Sequence, residues 1–399
     1  MRILQLCHRV PFPPSDGGAI AMNQIARGLI ERGNQVKVLA VSPHGRDPDP
    51  AVLPEDYLRA TRLEYVPVDT RIRPAAALRN LFSSRSYNME RFHSQAMEQK
   101  LAALLRQESF DLIQLEGLYL TPYIPVLRKH SKAPLIYRAH NIEHLIWERL
   151  AASCRNPVKK WYLGLLAGRL KKYETRVIRE MDGLLAISPV DLALFHGMGY
   201  RKPAVVIPVA MPDNPLPDPL PEEKPGSVFH LGSMDWRPNQ EGVLWFLEEV
   251  WPLVTRRKPG LKLYLAGKRM PRSFYRHASE QVEVVGEVPD AWEFMLKHRL
   301  MVVPLLSGSG MRVKIIEGMA AGRVIVSTRT GAEGTGCQHG THLYLADNPE
   351  QMAFWILHAF RVPSEAGEMA GRARRFVAER YSMPAVMDRL LAFYRGFYS

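Results

Sequence analysis

Three groups of residues in this 399-residue chain have types and spacings that could do chemistry. In the first, Pro11-Phe12-Pro13-Pro14-Ser15-Asp16-Gly17-Gly18 precedes a helical pattern in which Met22, Ile25, Ala26, Leu29 and Ile30 recur on one side. Two glycines at a helix start leave backbone N–H groups uncovered, and the helix dipole favours an anion there. Gly17 and Gly18 are therefore candidates for phosphate contact, the plain alternative being a structural turn. In the second group, Arg138-Ala139-His140-Asn141-Ile142-Glu143-His144 ends an apolar strand. His140 can donate a hydrogen bond or accept a proton near neutral pH. The plain alternative makes Asn141 the cap of a helix starting near Ile142 and His140 a satisfied core residue. In the third, Val302-Val303-Pro304-Leu305 feeds the turn Ser307-Gly308-Ser309-Gly310, and Arg312, Lys314 and Glu317 follow as a helix begins. Uncovered amides and Lys314 can hold a pyrophosphate, while Glu317, about one turn later on the same side, can accept bonds from ribose hydroxyls.

For such groups to converge, they must sit at the carboxyl edge of a parallel sheet, where ligands bind in open α/β folds. The sequence predicts that sheet twice. Short apolar runs alternate with helical patterns, as βαβ units require. The strand candidates are residues 2–7, 35–41, 62–66, 111–115, 134–139 and 183–188, and then 227–232, 261–266, 282–285, 300–305, 323–327 and 342–346. Between the two series lies a stretch with prolines at 208, 212, 215, 217, 219 and 221, whose missing N–H groups rule out a helix or central strand. The domains are accordingly read as 1–208, a Pro-rich linker 209–225, a second domain 226–382, and a terminal helix 383–399 that can cross back onto the first. Helical patterns at 349–361, 364–380 and 384–397 supply more helix than the second sheet needs.

The composition, 46% hydrophobic and 23% charged, is that of a globular protein, and the length suits two domains. No apolar run reaches the roughly 18 to 20 residues of a membrane-spanning helix. Met1 to His8 reads as a first strand rather than a signal peptide, so the expected location is the cytoplasm. Cys7, Cys154 and Cys337 lie too far apart to imply a disulfide framework or a zinc site. The Asp47-Pro48-Asp49 sequence falls in a Pro-rich loop and is not read as a metal site.

Taken in order over nearly the whole length, four pieces carry a resemblance: Gly17-Gly18, Arg138-Ala139-His140-Asn141, His230-Leu231-Gly232-Ser233-Met234, and the segment from Gly308 to Gly322. The chain resembles the GT-B glycosyltransferases of family 4, in particular bacterial surface-polysaccharide members. The resemblance implies an α/β fold of two doubly wound, Rossmann-like parallel-sheet domains facing a cleft. It implies a retaining, metal-independent hexosyltransferase that needs no cofactor and moves a sugar from a nucleotide-sugar to a glycan or lipid-linked saccharide. Under it the second domain binds the donor, Glu317 holds the ribose, the Gly17-Gly18 amides face the diphosphate, and His140 faces the transferred sugar. Glu116, Arg138, Asn141 and Glu143 become candidates on the acceptor side.

Two positions depart from the family pattern. Ser309 stands where a Glu usually lies eight residues before the ribose-binding Glu. Ser233 and Asn239 stand where an Arg and a Lys usually follow the first strand of the second domain. The donor phosphates then fall to Arg312 or Lys314, with Lys314 preferred, and sugar contacts pass to Ser309 or to the backbone of Gly308 and Gly310.

Charge adds a partner. Residues 1–208 hold 30 Lys and Arg against 19 Asp and Glu, whereas residues 209–399 hold 23 against 21. A basic first domain attracts a polyanion. Residues 155–179 concentrate eight basic side chains against one Glu, with Asn156 and Pro157 placed to start a helix and Trp161, Leu165, Leu166, Tyr173 and Val177 forming an apolar side. Such a helix can lie at an anionic membrane surface, the alternative being an internal helix with a solvated basic face. Nucleic acid is not expected, since no nucleic-acid motif is present. A nicotinamide dehydrogenase is excluded by the lack of a GxGxxG after the first strand. A non-catalytic sugar-binding relative, and an epimerase or phosphorylase of GT-B fold, stay open as alternatives.

Overall fold

The computed structural model describes all residues except 14–16, 45–52, 72, 74–78, 81–82, 84–85, 155, 212–215, 308–310 and 399. Asp47 to Asp49, Gly308, Ser309, Gly310 and part of the proline-rich linker therefore lie outside the described residues. The chain divides into two units, Met1–Ala210 with Val386–Ser399, and Met211–Ala385.

The first unit is a seven-stranded, all-parallel sheet: β1 Arg2–Cys7, β2 Gln35–Pro43, β3 Glu64–Val68, β4 Leu112–Glu116, β5 Leu135–Arg138, β6 Gly183–Ala186 and β7 Ala204–Val206. Its spatial order is β3-β2-β1-β4-β5-β6-β7. Parallel strands are covered on both faces by their crossover helices, which is why β1 and β4 read as nearly unbroken apolar runs and, apart from the half-buried Arg2, are buried. β1 lies between β2 and β4, so the order reverses there, and the crevice of a doubly wound sheet opens at the carboxyl ends of those two strands. Register aligns Cys7 with Glu116 and Glu116 with Arg138 along that edge.

The second unit repeats the scheme with six parallel strands: β8 Ser227–Leu231, β9 Lys262–Ala266, β10 Val282–Gly286, β11 Leu300–Val303, β12 Val324–Ser327 and β13 Tyr344–Leu345, in the order β10-β9-β8-β11-β12-β13. Its reversal falls between β8 and β11. Each sheet buries its own apolar core, around Leu4, Leu115 and Tyr137 in the first unit and around Val228, Val302 and Ile325 in the second.

Three local expectations are corrected. β7 was not anticipated, because only three residues pair with β6 between Pro203 and Pro208. The helix Glu143–Ser153 has Ile142 at its cap with no side-chain bond, so Asn141 is not the cap. The cap is supplied from afar: the Glu174 carboxylate accepts from the amides of Glu143 and His144, both at 3.0 Å. In the helix Pro157–Val177 the Asn156 side chain does accept from the Lys159 amide, but the buried side runs through Leu163, Leu166, Leu170, Glu174 and Val177. Trp161 is turned outward and 63% exposed.

The last helix, Met383–Arg395, buries Val386, Met387, Leu390, Leu391 and Tyr394, and its residues from Val386 on belong to the first unit. The Tyr394 hydroxyl donates to Gln114 Oε1 of β4, and Arg389 Nη1 donates to the Val206 carbonyl at 3.4 Å. Leu390 is fully buried. Leu390→Ala should destabilise the first unit by about 2 to 5 kcal/mol, the cost of a cavity in a well-packed core. Denaturant unfolding checks this, and an unchanged midpoint would show that the terminal helix is not part of that core.

Candidate functional site

At the β1–β4 reversal of the first unit, one buried carboxylate organises the edge. Glu116 is fully buried, and each of its oxygens is taken twice. Oε1 accepts from Gln5 Nε2 at 2.7 Å and Gln114 Nε2 at 2.5 Å. Oε2 accepts from His140 Nε2 at 2.8 Å and faces Arg138 Nη1 at 3.4 Å. Burial alone pushes the carboxyl up, but the Arg138 charge and the His140 hydrogen bond outweigh it and hold the group at about 2. A carboxylate accepts and does not donate, so His140 carries its proton on Nε2 and leaves Nδ1 for the site.

His8, directly after β1, is fixed by the same residue from the other side. Its Nδ1 donates to the Glu116 carbonyl oxygen at 2.7 Å, which leaves Nε2 with a lone pair. Burial, and then the charge of His140, lower its pKa to about 4, so it is a neutral acceptor at neutral pH. The two imidazoles meet edge to face with centroids 5.5 Å apart. Gly117 lies between them at φ +96°, and a Cβ there would come within 3.2 Å of His8 Nδ1. The sequence reading missed His8; its signal was a histidine immediately after the first strand of a doubly wound sheet.

Of the four acceptor-side candidates, Glu116 and Arg138 are enclosed. Arg138 is 1% exposed and spends Nη1 on the Ala21 carbonyl at 3.0 Å as well as on Glu116. Both are spent on partners inside the unit. Asn141 is exposed and hydrogen-bonds the Glu143 carboxylate. Glu143 also accepts from the Tyr119 hydroxyl at 2.8 Å, and Tyr119 lies 6.1 Å from His8, ring to ring. Burial, and then the nearby Glu174 charge, raise Glu143 to about 7 against the pull of Tyr119 and Asn141. Gly17 and Gly18 begin the helix Gly17–Glu31, as the first pattern required.

In the second unit the reversal between β8 and β11 carries a cationic centre. Lys314, in the helix Val313–Ala320, gives Nζ to Asn239 Oδ1 at 3.2 Å, and Asn239 Nδ2 donates to the Ser233 carbonyl at 2.8 Å. Asn239, a departure from the family pattern, thus holds a lysine supplied by another helix. Burial, and then repulsion from Arg312, lower the Lys314 pKa to about 8. His230 Nδ1 donates to the Val302 carbonyl at 3.1 Å, and its Nε2 has no partner among the described residues. Burial, and then the Lys314 charge, hold His230 at about 3 and therefore neutral. Gly232 is what makes room for this group: a Cβ there would overlap Lys314 Nζ and stand 2.8 Å from Asn239 Nδ2 and 3.0 Å from His230 Nε2. Arg312 lies over the Trp236 ring at 4.7 Å. Burial raises the Glu317 carboxyl, and Lys314 opposes the rise. Lys314 is therefore brought against Asn239 and Gly232, with the charges of Arg312 and Glu317 acting on it. Among the described residues no three His, Cys, Asp or Glu side chains are grouped to hold a metal ion.

Two family models match the chain in tandem, the glycosyl transferase 4-like domain over residues 16–210 and the glycosyl transferases group 1 over residues 225–361. The chain belongs to the glycosyltransferases. Solved structures give the fold as GT-B. The Anabaena protein Alr3699/HepE, crystallised in complex with UDP, is 14% identical, with a TM-score of 0.66 over 99% of this chain and 100% of its own. A glycosyltransferase from Rickettsia africae is 16% identical, with a TM-score of 0.66 over 100% of this chain and 98% of that one. Sucrose-phosphate synthase from Thermosynechococcus elongatus is 14% identical, with a TM-score of 0.67 over 100% and 99%. Among curated sequences, an uncharacterized 44.6 kDa protein in the cps region of Klebsiella pneumoniae is 23% identical over 307 residues, 73% of this chain and 76% of its own.

The Glu143 geometry in this glycosyltransferase predicts a pH effect. Unfolded, Glu143 ionises in the usual carboxylate range; folded, it stays protonated up to about 7. Its contribution is complete below the unfolded value and is lost as pH rises toward the folded one. Glu143→Gln removes that loss, so its stability relative to wild type should rise by up to about 3 kcal/mol between pH 5 and pH 8. Denaturant unfolding at the two pH values checks this, and a difference that does not change with pH contradicts it.

Proposed function

We propose that the protein is a retaining, metal-independent glycosyltransferase that moves a hexose from a nucleoside diphosphate sugar to a glycan or lipid-linked saccharide during cell-surface polysaccharide synthesis. The observation that carries the donor side is the half-buried Lys314 at the carboxyl edge of β8 and β11, steadied by Asn239 with Arg312 close by. Breaking the bond between sugar and diphosphate builds negative charge on the leaving group, and preorganised cations in a dry site stabilise it most effectively. Lys314 has two further N–H bonds to give a phosphate, and Glu317 accepts from the ribose. The UDP bound to the Anabaena relative of the same fold supports this placement.

The first unit supplies the side of the transferred sugar. His140 Nδ1 and His8 Nε2 are the two ring atoms that the protein itself leaves for substrate. Glu116 is no nucleophile, because four donors occupy its oxygens and it reaches no solvent. That supports attack from the face of the leaving group, with the departing phosphate taking the acceptor proton, rather than a covalent glycosyl-enzyme. The relative encoded in a cps region supports the polysaccharide role.

A membrane-borne acceptor is part of the proposal. Val158 and Trp161 are 74% and 63% exposed beside the exposed Lys159 and Lys160, and Ile146 and Leu150 on the neighbouring helix Glu143–Ser153 are 44% and 48% exposed. Apolar residues flanked by cations suit the interface of an anionic bilayer. No helix of the described residues is long and apolar enough to cross a membrane.

Lys314→Ala and Glu317→Ala should each weaken UDP binding by roughly 1 to 3 kcal/mol, measured by calorimetry. Unchanged affinity in both variants contradicts the donor assignment. His140→Ala should reduce turnover far more than UDP affinity. Chelator should leave turnover intact, and its loss would place a metal in the reaction.

A further inference from the structure

A cavity of about 1360 Å³ in the first unit takes no part in either centre described above. It opens between the turn Leu118–Tyr123, the residues around Arg91, and the helix Pro157–Val177. Seven cationic side chains line it against three carboxylates, so its charge is strongly positive. Part of that charge is already neutralised. Asp69 accepts from Arg71 at 2.8 Å and from Arg73 at 2.7 Å. Arg169 keeps its charge but is tied to Asn80, with bonds of 2.7 Å to its carbonyl and 3.0 Å to its side chain.

The remaining four, Arg79, Arg91, Lys172 and Arg176, form no ion pair with a carboxylate among the described residues. Lys172 and Arg176 are exposed, stand one turn apart on the same helix, and pair with no carboxylate among the described residues. Like charges at that spacing repel. Arg91 gives Nη1 to the Thr70 carbonyl at 3.0 Å, while its Nε is buried with no hydrogen-bond partner. Aromatic walls accompany the charge: Arg91 lies 5.6 Å from the Tyr87 ring centroid and Arg176 5.5 Å from that of Tyr173. The cavity also adjoins the histidine centre. Thr121 and Pro122 in its wall belong to the turn that leaves β4 directly after Glu116 and Gly117. Phe92, next to the lining His93, packs tilted against Tyr119 with centroids 4.4 Å apart, and Tyr119 is the ring that neighbours His8.

We propose that this cavity binds the phosphate groups of the acceptor, a saccharide carrying a phosphate or diphosphate whose oxygens are met by Arg91, Lys172 and Arg176. The word acceptor rests on the glycosyl-transfer reading; the anion site does not. A single carboxylate brings one charge and two oxygens, too few for Arg91, Lys172 and Arg176, which pair with no carboxylate among the described residues, whereas a diphosphate brings at least two charges and suits guanidinium forks. A lipid carrier and a soluble phosphosaccharide present the same phosphate chemistry to these side chains.

The test saturates the full-length protein with UDP and then titrates inorganic pyrophosphate by calorimetry at low salt. A saturable pyrophosphate site should persist under UDP and weaken at least tenfold when Lys172→Gln and Arg176→Gln are combined, with UDP affinity and melting temperature unchanged. D-glucuronate, the carboxylate control, should not bind saturably. Co-sedimentation with neutral vesicles containing or lacking a prenyl diphosphate identifies the source: dependence on the prenyl diphosphate that the double variant loses assigns the phosphate to a lipid. Pyrophosphate displaced wholly by UDP, unaffected by the double variant, or matched by glucuronate overturns the proposal. Failure of UDP to bind counts against the donor reading alone, because pyrophosphate can then be titrated without it.

Discussion

An ionised carboxylate with no solvent contact costs several kcal/mol to bury unless donors surround it, and Glu116 imposes that constraint on the first unit. Its position at the end of β4, opposite Cys7 and Arg138 in register, fixes where the donors must be. Gln5 and Gln114 interrupt two otherwise apolar strands to serve one oxygen, and Arg138 and His140 serve the other. The requirement then spreads outward. Gln5 and Arg138 also donate to the carbonyls of Met22 and Ala21, tying in the helix Gly17–Glu31, and Gln114 accepts from Tyr394, tying in the terminal helix. One satisfied charge thus sets the His140 tautomer and, through the Glu116 carbonyl, the His8 tautomer as well.

The second unit applies the same reasoning with the opposite sign. Lys314 is a half-buried cation that Asn239 alone hydrogen-bonds among the described residues, and Arg312 repels it. Such a cation is under-neutralised, as a site for a developing phosphate charge should be. The two centres therefore differ in kind. In the first unit the charge is fully satisfied and serves to orient histidines; in the second it is left short of partners and is available to a ligand.

Much of this was legible in the sequence because alternating apolar runs and helical patterns report parallel sheets directly. Strands β1 to β6 and β8 to β13, the three closing helices, and the charges of Arg312 and Glu317 acting on Lys314 follow from local patterns. What escaped was long-range. Glu174 caps a helix 31 residues before it, which no local cap signal around Asn141 could announce. Trp161 was assigned to the apolar side because apolar residues occur all round that helix, and packing of Leu163, Leu166 and Leu170 decides the matter. Gln5 and Gln114 carry a further signal: a polar residue inside a buried strand must have a partner, and here the partner is Glu116 at the carboxyl edge of the sheet.

Glu116 fixes the protonation pattern of the two imidazoles. Nitrogen-15 chemical shifts of histidine-labelled protein between pH 6 and pH 8 test it most directly. His8 should stay neutral with its proton on Nδ1 throughout, and His140 should keep a proton on Nε2. A His8 that titrates within that range, or a neutral His140 protonated on Nδ1, would contradict it.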